Sequence, residues 1–283
     1  MSNKIKITCD STCDLPQELY TKYGVDVAAL SVALGGELHR DGVDVSAPDL
    51  FAYVKESGNL PTTSAVSMGE YLDLFSKYTT EGCTVIHINL SSNLSASHQN
   101  AVLAAQELGN VYVVDSRNLS SGSGHLVIEA AEMVAQGLDA ETIVARLNEM
   151  KERLDVSFVL QTLEYLQKGG RCSSVAALGA RALQLRPEIR VADGGMGVGK
   201  KYRGSMEKSV LDYIRGRLEG RDDIDTRRIF VTHSPMDSEV VGKAIDLVRQ
   251  LHPFEEVIET NAGCTICSHC GPNCLGVLFF KKA

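Results

Sequence analysis

Four cysteines lie within eleven residues near the end of the chain, in the segment CTICSHCGPNC. They are Cys264, Cys267, Cys270 and Cys274. Their spacing, C-x2-C-x2-C-x3-C, is that of the run that holds iron–sulfur clusters in bacterial ferredoxins, and four thiolates also suit zinc. No second run of this kind accompanies them, which weakens the metal hypothesis. The alternative is a tight loop of small residues that turns at Gly271 and Pro272 and carries His269.

Two segments rich in hydroxyl groups form a second candidate site. PTTSAVS carries Thr63 and Ser64, and LSSNLSAS, between a predicted strand and a predicted helix, carries Ser92 and Ser95. In open α/β sheets ligands bind at the carboxyl ends of strands, and a helix N-terminus favours an anion. The pattern therefore indicates a site for a carboxylate or phosphate. The alternative is that these side chains only cap helices and form turns.

Other catalytic patterns receive little support. The segment GGMGVGKK fits G-x4-G-K of a nucleotide-binding loop, but Lys201 stands where a serine or threonine must bind magnesium. The residues that follow it read as a returning strand, so we predict a β-hairpin there. There is no G-x-S-x-G motif, no H-E-x-x-H helix and no evident pair of carboxylates.

The elements that position these residues alternate between strand and helix. KIKITC, CTVIHINL and NVYVVDS are predicted strands separated by helical patterns, which indicates βαβ units around a parallel sheet. VDVAALSVALGG is predicted to be extended structure that ends at Gly35 and Gly36. Asp14 is expected to cap the first helix and Asp139 the last charged helix of the first half. The second half mixes strands and helices less regularly.

The composition is that of an ordinary soluble globular protein. The chain has 283 residues, is 44% hydrophobic and carries a formal net charge of −8, which argues against nucleic acid as a partner. The length suits two domains, which we assign to residues 1–153 and 154–283. No signal peptide or transmembrane run is evident, so we expect a cytoplasmic protein whose eight cysteines are thiols or ligands.

Six segments in sequence order resemble the DegV family: DSTCDL, PTTSAVS, LSSNLSASHQNA, VVDS, LQKGGR and HCGPNCLG. The resemblance runs from about Ile5 to Phe280. It implies a two-domain α/β fold with a parallel-sheet N-terminal domain, a mixed-sheet C-terminal domain and the ligand between them. It also implies a non-catalytic bacterial protein that binds one long-chain fatty acid in an interdomain tunnel and needs no cofactor. Such a protein presents the carboxylate to the catalytic subunit of a fatty acid kinase, and transient contact with a membrane surface is compatible with this role.

The resemblance also assigns roles to residues. By similarity, Thr63 and Ser95 would hold the carboxylate, with Ser64 and Ser92 as neighbours. His269 would lie close to the head group, and Arg171 near the tunnel mouth or the partner surface. The cysteines are not part of the family pattern, so an iron–sulfur or zinc protein remains the alternative function. A third hypothesis is an enzyme that uses the same cleft.

Overall fold

The computed structural model describes residues 4–176 and 185–283. The strands are β1 (Ile5–Asp10), β2 (Asp26–Ala28), β3 (Ser31–Leu34), β4 (Glu37–Arg40), β5 (Thr62–Ser64), β6 (Thr84–Asn89), β7 (Val111–Asp115), β8 (Leu154–Val159), β9 (Arg186–Ala192), β10 (Gly195–Tyr202), β11 (Ile224–His233), β12 (Glu256–Asn261) and β13 (Leu275–Lys281). The helices are α1 (Gln17–Tyr23), α2 (Ala47–Ser57), α3 (Met68–Thr79), α4 (Ser97–Leu108), α5 (Ser121–Ala135), α6 (Ala140–Met150), α7 (Glu164–Gly169), α8 (Ser173–Ala176), α9 (Met206–Leu218), α10 (Ser238–Leu251) and α11 (Cys264–Cys270).

The first half of the chain forms the predicted parallel sheet, with strand order β2-β1-β6-β7. Every residue of β6 is buried, as expected for a strand that is covered on both faces. Helix ends follow local sequence signals. Ser46 and Ser67 each form a capping box, and the side chain of Asp139 accepts a hydrogen bond from the Thr142 amide at 2.9 Å.

The second half forms a mixed six-stranded sheet with the order β10-β9-β8-β13-β11-β12. Its strands begin at Leu154 and pair antiparallel, except for the parallel pair β11 and β12. The parallel sheet and this mixed sheet confirm the predicted α/β fold class. The division into domains at residues 153 and 154 stays a prediction. β9 and β10 form the predicted hairpin, so Lys201 lies on a returning strand.

Helix α5 packs between the two sheets, and 12 of its 15 residues are buried. Glycines at its start allow this close approach. A Cβ atom at Gly122 would lie 2.4 Å from the Asn118 side chain, and one at Gly124 would lie 2.7 Å from the carbonyl oxygen of Cys13. The largest apolar cluster therefore runs through both halves of the chain and includes Phe230.

One region was predicted only as extended structure. The segment VDVAALSVALGG is extended but divides into two strands, and β2 and β3 belong to different sheets. β3 lies between β4 and β5 in a separate three-stranded antiparallel sheet. Each of these strands has only three or four residues, too few to show a reliable alternation of apolar and polar side chains.

Candidate functional site

A pocket opens between the carboxyl ends of the parallel strands, the edge strand β5, helix α11 and the mixed sheet. Its atom-free space is about 850 Å³ with the mouth included. We call it the interface pocket. Its lining includes five of the six residues predicted for the site, and these are Thr63, Ser64, Ser95, Arg171 and His269.

Thr63 and His269 form the centre of the polar end. The Thr63 hydroxyl and the Nε2 atom of His269 share a hydrogen bond of 2.9 Å across 206 residues of sequence. Thr63 is placed by the pairing of β5 with β3, in which it faces Val32. His269 lies in the last turn of α11. The predicted neighbours therefore meet through the fold and not through local sequence.

The His269 ring is held by close packing. A Cβ atom at Gly169 would lie 2.2 Å from its Nδ1 atom, so the absence of a side chain at that position makes room for the ring. Nδ1 has no hydrogen-bond partner among the described residues. Burial, and secondly the charge of Arg171, lower the pKa of His269 to about 4. The imidazole is therefore neutral at physiological pH.

Ser95 and Arg171 flank this centre. The Ser95 hydroxyl accepts a hydrogen bond from the Ser97 amide at 3.2 Å, at the start of α4. Arg171 donates to the carbonyl oxygen of Gly169 at 2.7 Å and to that of Leu94 at 3.4 Å, so it links the end of α7 to the loop before α4. Its guanidinium is partly committed to these carbonyl groups.

The structure does not bring Ser92 together with the other predicted residues. Ser92 is exposed, and its hydroxyl donates to the Asp115 carboxylate at 2.6 Å. It lies in the same loop as Ser95 but is not part of the pocket lining. The difference arises because Asp115, at the end of the neighbouring strand β7, draws the Ser92 side chain away from the pocket.

Two buried carboxylates hold the N-terminus of α11. Asp41 accepts hydrogen bonds from the amides of Cys264 at 2.7 Å and Thr265 at 3.2 Å. Asp14 accepts from the Gly263 amide at 2.9 Å and from the Ser120 hydroxyl at 2.5 Å. The prediction that Asp14 caps the first helix was wrong, because its carboxylate points into the interface instead. Burial raises the pKa of Asp14 well above its usual range, although these two hydrogen bonds oppose the shift.

The cysteine run is a helix followed by a turn, and not the loop that the alternative interpretation expected. Among residues 4–176 and 185–283, no group of three or more His, Cys, Asp or Glu side chains is placed to hold a metal ion. Two thiols point to main-chain carbonyl oxygens instead, Cys264 to Val45 at 3.4 Å and Cys267 to Ala262 at 3.3 Å. The described residues therefore give no support to the iron–sulfur or zinc alternative.

The rest of the interface pocket is mainly apolar. Its apolar wall includes Leu30, Leu90, Leu94, Leu119, Phe158, Leu166, Met196, Ile266 and Leu278. Sequence reasoning missed several hydroxyls of the lining, among them Ser120, Thr232, Ser234 and Thr265. The first three follow or end predicted strands, so the carboxyl-end rule could have found them. The Thr265 hydroxyl is buried and has no partner within the described part of the chain.

The chemistry of the pocket follows from these groups. No aspartate, glutamate or lysine lines it within the ranges that the structure describes, and the only permanent cation is Arg171. An anionic head group would therefore meet hydroxyls and a neutral imidazole without repulsion, next to an apolar wall. Hydroxyls and a neutral imidazole bind a carboxylate through hydrogen bonds rather than through a strong ion pair.

Comparison with known proteins assigns the chain to a family. Residues 4–282 match the model of a family whose description reads "Uncharacterised protein, DegV family". A DegV domain-containing protein of Listeria innocua is 32% identical over 288 residues, which cover 100% of both chains. Another from Clostridium acetobutylicum is 32% identical over 99% of both chains. The chain belongs to the DegV family.

Solved structures agree with this assignment and add a ligand class for relatives. A DegV family protein from Thermus thermophilus that binds fatty acid is 32% identical, with a TM-score of 0.88 over 98% of this chain and 99% of that one. A stearic acid-binding protein from Eubacterium ventriosum is 26% identical, with a TM-score of 0.88 over 98% of each chain. No helix in the described residues is both long enough and apolar enough to span a bilayer.

Proposed function

We propose that this protein is a non-catalytic carrier that binds one long-chain fatty acid in the interface pocket and presents its carboxylate to a separate acyl kinase. The observation that carries the proposal is the composition of the interface pocket. Among the residues that the structure describes, hydroxyls and a neutral imidazole adjoin an apolar wall, and no carboxylate lines it. The fatty acid bound by the Thermus thermophilus relative supports the same ligand class. The kinase partner rests on the resemblance of the six sequence segments to the DegV family.

In this proposal the hydroxyls of Thr63, Ser64 and Ser95 hold the carboxylate near His269. A carboxylate held in this way keeps its charge exposed for phosphorylation, whereas a buried bidentate arginine would neutralise it. Arg171 donates hydrogen bonds to two carbonyl groups, and in this proposal it lies near the mouth of the pocket, where a partner surface would approach. Ser92 is left out of the proposed set because its hydroxyl bonds Asp115.

The acyl tail occupies the apolar wall between the parallel and the mixed sheet. Each methylene group that leaves water contributes about 0.8 kcal/mol, so a long chain binds tightly enough to survive purification. The proposed tunnel lies at the boundary that we assign between residues 1–153 and 154–283. We also propose that the carrier works in the cytoplasm, where its thiols stay reduced.

Organic extraction of the purified protein, followed by mass spectrometry of the extract, tests the ligand. We expect one equivalent of a long-chain fatty acid per chain. Metal analysis of the same sample tests the alternative, because an iron–sulfur or zinc protein would carry a stoichiometric metal. Stoichiometric iron or zinc without lipid would reject the carrier in favour of that alternative. Turnover of ATP or of an acyl phosphate by the isolated chain would contradict the non-catalytic role.

Substitution of Ser95 by alanine is expected to weaken palmitate binding by about 1–3 kcal/mol, roughly 5- to 150-fold, because the carboxylate loses one charge-assisted hydrogen bond. Isothermal titration after delipidation measures the effect. Ser92→Ala is the matched control, since Ser92 lies in the same loop and outside the pocket. Equal affinities of the two variants would remove Ser95 from the site. Thermal unfolding of both variants checks that the start of α4 is intact.

A further inference from the structure

Three of the four clustered cysteines form a compact group beside the interface pocket. Cys267 and Cys270 are three residues apart in α11, which places their Cα atoms about 5 Å apart and their side chains on one face. The turn after the helix, with positive φ angles of 73° at Gly271 and 54° at Asn273, returns the chain so that Cys274 adjoins Cys270. All three thiols are buried.

Only part of this group faces the pocket. Cys270 and Cys274 belong to the lining that also contains Thr63 and His269, whereas Cys267 does not belong to it. A small reagent that enters an empty pocket can therefore reach the Cys270 sulfur although the residue is only 4% exposed. An acyl chain in the pocket would block the same route.

The surroundings also single out one sulfur. The neighbouring thiols of Cys267 and Cys274 lower the pKa of the Cys270 thiol below its ordinary value, although burial opposes this shift. The pKa values of the two neighbours are raised well above the ordinary value. Cys270 lies between the other two cysteines in the chain and also lines the pocket, and the thiolate is the nucleophile in thiol chemistry, so we take Cys270 as the reactive member of the group.

We propose that Cys270 is an oxidisable thiol in the wall of the pocket, which forms a disulfide with Cys267 or Cys274 when a hydroperoxide enters, and that this bond weakens ligand binding. The coupling to ligand binding rests on the proposed fatty-acid function; the oxidation does not. None of these cysteines is needed to hold the carboxylate, so the thiols add a regulatory modification to the same site.

The chemistry balances with a hydroperoxide as the only added reactant. The Cys270 sulfur attacks the terminal peroxide oxygen, the O–O bond breaks, and an alcohol or water leaves with the proton. The resulting sulfenic acid is attacked by the neighbouring thiol, so an S–S bond forms, the S–O bond breaks and water leaves. Two thiols are oxidised to one disulfide while the hydroperoxide is reduced.

The disulfide affects the head-group site because it displaces the backbone that carries His269. It draws two sulfurs to about 2.0 Å and two Cβ atoms to about 3.8 Å, whereas residues three apart on a regular helix have Cβ atoms about 5–6 Å apart. A bond to Cys267 therefore shifts the last turn of α11, and a bond to Cys274 draws the end of the same turn towards the segment that follows it. His269 lies in that turn and is fixed between Thr63 and Gly169, so its hydrogen bond to Thr63 is disturbed.

The experiment treats delipidated, reduced full-length protein with hydrogen peroxide, with and without prior saturation by palmitate. After thiol blocking and tryptic digestion, the peptide 250–281 contains all four clustered cysteines. We expect this peptide to carry two blocking groups instead of four and to be 2 Da lighter than the free-thiol peptide with two such groups. The oxidation should be at least fivefold slower with palmitate bound, and dithiothreitol should reverse it. Titration of the oxidised protein should give at least a fivefold lower palmitate affinity, restored by the same reductant.

Variants locate the reaction. Cys270→Ser should abolish the disulfide, whereas the matched control Cys264→Ser, in the same helix and peptide, should keep it. Burial raises the pKa of the Cys264 thiol to about 12, and its thiol points to the Val45 carbonyl oxygen rather than into the pocket. If Cys270→Ser does not fold, iodoacetamide labelling of the wild type serves instead, with Cys270 as the first site modified and palmitate as the protecting ligand.

The outcomes separate the two proposals. The oxidation at Cys270 would be overturned by persistence of the disulfide in Cys270→Ser or by first labelling at another cysteine. It would also be overturned if peptide 250–281 of a peroxide-treated protein that binds palmitate contained no disulfide. Equal palmitate affinity of the oxidised and reduced forms would overturn the coupling. A disulfide that forms as expected in a protein that binds no fatty acid would instead refute the proposed carrier function and leave the oxidation at Cys270 in place.

Discussion

When the pH falls from 7.5 to 5.0, the free energy of unfolding should decrease by about 2 kcal/mol less in His125→Gln than in the wild type. Burial lowers the pKa of His125 to about 3, because the ring lies between Phe230 and Phe280 and its Nε2 atom donates to the Leu278 carbonyl oxygen at 3.0 Å. In the unfolded chain the pKa of histidine is about 6.5. The unfolded state therefore binds the proton first, and the stabilising contribution falls as the pH drops below 6.5.

Urea unfolding of the delipidated protein at both pH values measures this effect. The comparison between variant and wild type is essential, because the raised pKa of Asp14 acts with the opposite sign and favours folding as the pH falls. That contribution cancels in the difference, since both chains retain Asp14. Glutamine keeps a donor for Leu278 without a titrating group, and His39→Gln in β4 is the matched control. An unchanged pH dependence in His125→Gln would show that this ring is not buried in its neutral form.

A second large effect is expected for Gly169→Ala, which should reduce palmitate affinity tenfold or more. The added methyl group would lie 2.2 Å from Nδ1 of His269, a distance at which the ring must move away from Thr63. Overpacking of a buried site also costs about 1–3 kcal/mol of stability. Titration calorimetry for affinity and urea unfolding for stability measure the two consequences.

Two further variants isolate the clash. Gly242→Ala lies within helix α10 with no atom within 4 Å of the added Cβ, so it should leave affinity unchanged and gain up to about 1 kcal/mol of stability. In a His269→Ala background the ring is gone, and Gly169→Ala should then cost little. A loss of affinity as large in that background as in the wild type would mean that Gly169 acts through another contact.

Local sequence was enough to predict the parallel sheet and the β9–β10 hairpin. β-branched segments such as CTVIHINL predicted the parallel sheet because they alternate with helical patterns, and β6 is indeed buried on both faces. The glycine turn after Ala192 predicted the hairpin of β9 and β10. The three-stranded sheet could not be found in this way, because its short strands are stabilised by their neighbours rather than by their own pattern.

The candidate site was predictable as a set of residue types at the carboxyl ends of strands, but not as a geometry. Ser92 and Ser95 are three residues apart in one loop, and residue type and position did not distinguish them, although the family resemblance gave Ser95 the larger role. Asp115 on the adjacent strand takes the hydroxyl of Ser92, while Ser95 remains in the pocket lining. That choice depends on which strand lies beside β6, and only the folded chain decides it.

The sequence by itself determined the α/β class, the hydroxyl-rich loops and the presence of a clustered set of thiols. Only the tertiary structure decided that three of those cysteines lie on a helix and that Cys270 and Cys274 line a pocket. A helix of seven residues is unstable alone, and α11 depends on Asp41, 223 residues from Cys264, and on Asp14, 249 residues from Gly263. Contacts over such separations leave no periodic signal in the sequence, because each involves a single pair of residues that the fold brings together.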